Sequence, residues 1–82
     1  MSIDLGVKIA WAKMLLETDT TQLPDEDLLK YKWQVEITIE LMRHNVGVCL
    51  SRKDVKSSMF LEARQSIMAM ESKLQEIEKI IA

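Results

Sequence analysis

From Ser51 to Ala82 the chain contains neither glycine nor proline, and its apolar residues recur at alternating steps of three and four. Phe60, Ala63, Ile67, Met70, Leu74, Ile77 and Ile81 fall in that register. On a helix they draw one seam, held for about three heptads. Val55 and Met59 widen the stripe near its start. The preceding "SRKD" at 51–54 reads as a capping box, with Ser51 accepting from the first turn and Asp54 reaching back. The pattern predicts one helix over 51–81. A helix of that length with an apolar seam needs other helices beside it.

The middle of the chain is less direct. "YKWQVEITIEL", residues 31–41, alternates apolar and polar positions, as a half-buried strand does. Val35, Ile37, Thr38 and Ile39 are β-branched and favour strands. Yet Pro24 suits a first helical position, and Asp25, Glu26 and Asp27 fill a first turn, where carboxylates suit the helix dipole. Wound as a helix, the segment carries two stripes. Leu29, Trp33, Ile37 and Leu41 make one; Leu28, Val35, Ile39, Met42 and Val46 make the other. Lys32–Glu36 and Glu40–His44 then stand one turn apart. Unbroken alternation is therefore compatible with a helix touching neighbours on two sides. The reading is a helix over 24–46, closed by Gly47.

The first segment, "IDLGVKIAWAKMLLE", has the same double character. Residues 3–11 alternate, but "AWAKMLLE" is built of strong helix formers. Ser2 is placed to cap and Asp4 sits in the first turn. As a helix over 2–17, Val7, Trp11 and Met14 lie on one side, and Leu5, Ile9, Ala12 and Leu16 on another. Such a helix needs cover from more than one neighbour. The polar stretch "TDTTQ" at 18–22 is a linker.

The expected fold is all-α, a single small helical domain over 1–82. The two longer helices form an antiparallel hairpin, the last of them coiled-coil-like, and the first packs across it. The alternative is α+β, with two strands at 3–11 and 31–41 packed on one long helix in a dimer. Two glycines and one proline leave too few turn residues for a small all-β barrel. The residues from 27 to 44, "DLLKYKWQVEITIELMRH", resemble a segment of small helical subunits of secretion and flagellar rods, where an alternating stretch is nonetheless helical. In those rods the segment lies near the chain end, whereas here a further helix follows.

Little in the chain suggests catalysis. His44 and Cys49 are its one histidine and one cysteine. On a helix five residues turn through about 500°, which leaves the two about 140° apart, so a nucleophilic pair is not expected. Zinc needs three or four N or S ligands, and neither metal nor cofactor is expected. His44 reads as a surface residue and Cys49 as a small buried hydrophobe. Asp25–Asp27 read as a helix start, and Gly6 and Gly47 are isolated, with no phosphate loop.

With a net charge of −2 at pH 7, broad binding to nucleic acid or anionic membrane is not expected. No run of about 18 apolar residues suggests a membrane span. No signal peptide is apparent, and the lone cysteine fits a reducing, cytoplasmic setting. A local basic cluster, Arg52, Lys53 and Lys56, could still grip phosphates at the start of the last helix. This gives the alternative function, a small phage or plasmid regulator contacting nucleic acid.

The main expectation is association. A chain of 82 residues buries only about 60–65% of the surface its unfolded form exposes. A last helix of ~43 Å beside a middle helix of ~34 Å leaves Leu74, Ile77, Ile80 and Ile81 in an overhang. Six methionines, Met59, Met68 and Met70 among them, suit either core filling or an adaptable contact. The reading is a non-enzymatic interaction module: a structural subunit, adaptor or chaperone-like protein of a kind found in secretion machineries and phages. Phe60, Ala63, Ile67, Met70, Leu74, Ile77 and Ile81 would form its seam, as a homo-oligomer or with another helical protein.

Overall fold

A computed structural model of the chain describes residues 2–52 and 57–81. It is an up-down-up arrangement of three helices: α1 (Ser2–Leu16), α2 (Asp25–Arg52) and α3 (Ser57–Ile81). Each helix packs on both of the others. There is no strand among the described residues, so the two-strand alternative for 3–11 and 31–41 does not hold. The side chains of Ser2 and Asp4, expected to favour the first turn of α1, lie outside the described residues.

The long axis of the molecule, 41 Å, matches the length of α2, which at 1.5 Å per residue is about 42 Å. A single 3-10 turn, Thr20–Gln22, joins α1 to α2. Asp19 caps it, accepting at Oδ1 from the Thr21 backbone N–H at 3.0 Å and from the Thr21 hydroxyl at 2.6 Å. The bond from the Thr21 hydroxyl, and then that from its N–H, holds the Asp19 carboxyl below the usual carboxylate range.

The alternation in α2 resolves by burial. Tyr31, Val35 and Ile39, spaced four apart, are buried; of the apolar residues in the gaps between them Trp33 is exposed and Ile37 half-buried, and Leu41 beyond them is exposed. Leu28, Val35, Ile39 and Met42 form the inward stripe and meet Leu5, Ile9 and Ala12 of α1 and Ala63, Met70 and Ile77 of α3 in one core. The β-branched cluster costs a few tenths of a kcal/mol per residue in helix propensity. Burying a large aliphatic side chain returns about 1.5–3 kcal/mol, so packing overrides propensity at Val35 and Ile39. Thr38, also buried, donates its hydroxyl to the Gln34 carbonyl at 2.7 Å and so leaves no unsatisfied polar atom.

The helix ends differ from expectation in one region. α2 does not close at Gly47 but runs through it to Arg52. Ser51 therefore lies in the last turn of α2, and its hydroxyl donates to the Gly47 carbonyl at 3.2 Å instead of capping the last helix. Asp54, the other half of the expected capping box, lies outside the described residues. A glycine inside a helix costs about 0.5–1 kcal/mol against alanine. Continuing the helix buries Cys49, which offsets that cost.

This extension also removes the expected overhang. α2 has 28 residues and α3 has 25, so α3 does not outreach its neighbour. Ile77 is fully buried and Leu74 packs on the core, while Ile80 and Ile81 stay about half exposed. Arg43 of α2 and Glu71 of α3 meet at 2.7 Å across the hairpin. Both side chains are near half exposed, so the pair is worth at most about 1 kcal/mol. It sets register more than it supplies stability.

The Tyr31 hydroxyl donates to the Leu15 carbonyl in the last turn of α1, where helix carbonyls lack partners. Burial, and secondarily the charge of Glu76, pushes this phenol above its ordinary value of 10.0.

Two outcomes are expected. A Cβ at Gly47 would meet nothing within 4 Å, so Gly47→Ala should raise stability by about 0.5–1 kcal/mol in urea unfolding. A loss there would show that the helix stops at Gly47. Tyr31→Phe should cost about 1–2 kcal/mol at neutral pH by leaving the Leu15 carbonyl unpaired. A raised phenol favours the folded state fully below the unfolded value, and that favour is lost as pH climbs through the folded one. Unfolding midpoints followed from about pH 9 to 11 should therefore fall more steeply in the native protein than in Tyr31→Phe.

Candidate interaction surface

α1 and α2 each bring two apolar faces, and the fold covers one of each. On α2 the inward stripe is buried, whereas Leu29 is 54%, Trp33 66% and Leu41 41% exposed. On α1, Leu5, Ile9 and Ala12 are buried, while Val7, Trp11 and Met14 are all more than half exposed. The faces left open are the second stripes read from the sequence on both helices.

They meet in a groove. Trp11 and Leu15 of α1 form one wall; Trp33, Gln34, Ile37, Thr38 and Leu41 of α2 form the other. The groove encloses about 340 Å³, and every residue lining it is uncharged. An indole exposed by more than half is an expensive surface to leave in water, since an aromatic side chain carries 150–250 Å² of contact area. Two such indoles on one groove are a concentrated apolar patch.

A second groove runs between α2 and α3. Arg43, Val46 and Leu50 face Phe60, Arg64, Ile67, Met68 and Glu71 across it. Leu50 and Met68 are each 57% exposed. Its apolar floor is interrupted by Arg43, Glu71 and Arg64, so it is more polar at its rim than the first.

The residues expected to form an intermolecular seam take a different place. Ala63, Met70 and Ile77 are fully buried in the chain's own core. Phe60, Ile67 and Leu74 pack partly against that core, and Ile81 remains 44% exposed. The seam is thus engaged mainly with α1 and α2 of the same chain. Of the basic cluster, Arg52 is the last residue of α2, not part of the last helix; Lys53 and Lys56 lie outside the described residues.

His44 is exposed and Cys49 is buried, with its thiol free. Among the described residues no group of three or more His, Cys, Asp or Glu side chains is arranged to hold a metal ion. None of the described helices is long and apolar enough to cross a membrane.

The groove residues carry a usable signal in their spacing. Trp33, Ile37 and Leu41 stood out as a stripe of their own, and so did Trp11 with Val7 and Met14. What it did not show was which stripe the fold would cover, since both have similar apolar content. No protein-family model, curated protein or solved structure matches this chain.

Proposed function

We propose that the protein is a non-enzymatic interaction module that works by packing an apolar helical face against a partner. The observation that carries this is the α1–α2 groove, where Trp11 and Trp33 stand 55% and 66% exposed beside Leu41 with no charged residue in the lining. Tryptophans in such patches are the side chains most often found to dominate binding energy. They offer large contact area at small entropic cost, because few rotatable bonds are frozen. Displacing water from that groove is favourable for any partner that presents a complementary apolar ridge, at roughly 25 cal/mol per Å². A structural subunit, an adaptor and a chaperone-like cover all use surfaces of this kind.

The test is the paired variant Trp33→Glu, Leu41→Glu. Both side chains are outside the core, so helicity by circular dichroism should be unchanged. Purified from its native cell, the wild-type protein should run larger than its own 9.5 kDa, and the paired variant should lose every such association. A variant that keeps the same associations as the wild type would overturn the proposal.

A further inference from the structure

We draw no further inference here: the strongest candidate, the second groove between α2 and α3 with Leu50, Phe60, Ile67 and Met68 along it, is an apolar face whose Arg43 already meets Glu71 of the same chain, and nothing in the structure shows what covers it.

Discussion

The inward stripe of α2 is the element on which the rest of the molecule depends. Leu28, Val35 and Met42 are each at most 1% exposed, and α1 and α3 both pack against that helix. A chain with four aromatic residues has few large groups to build a core, so the aliphatic and thioether side chains of this column supply much of the buried volume. Because one side of α2 is committed to the core, its other side has no neighbour within the chain. The exposed tryptophan follows from that shortage: three helices can shield only one face of each.

Most of the architecture was legible beforehand. The heptad spacing of α3, the proline before α2 with the carboxylates of its first turn, and the helix formers of α1 each indicated a helix. Alternation over residues 31–41 was ambiguous for a physical reason. Period two and period 3.6 coincide over short spans when both faces of a helix are apolar. Gly47 misled, because a glycine near the end of a periodic run commonly terminates a helix. Here it lies before Cys49, whose burial extends the helix a further turn.

The candidate surface was half legible. Its residues stood in the sequence as stripes, but the expected working seam was the one on α3. A seam's regularity says that it packs; it does not say whether the other side of the contact belongs to the same chain. That choice depends on helix lengths, and an end of α2 at Arg52 instead of residue 46 was enough to transfer Ile77 from an overhang to the interior.

Leu15 is shared between two tasks. Its backbone carbonyl is the acceptor for the Tyr31 phenol, and its side chain is part of the groove wall beside Trp11. The phenol reaches it from the same helix, α2, that supplies Trp33 and Leu41 to the opposite wall. One side-chain bond thus ties the groove's two walls together from behind. The tie is made by a residue that is not part of the groove's lining.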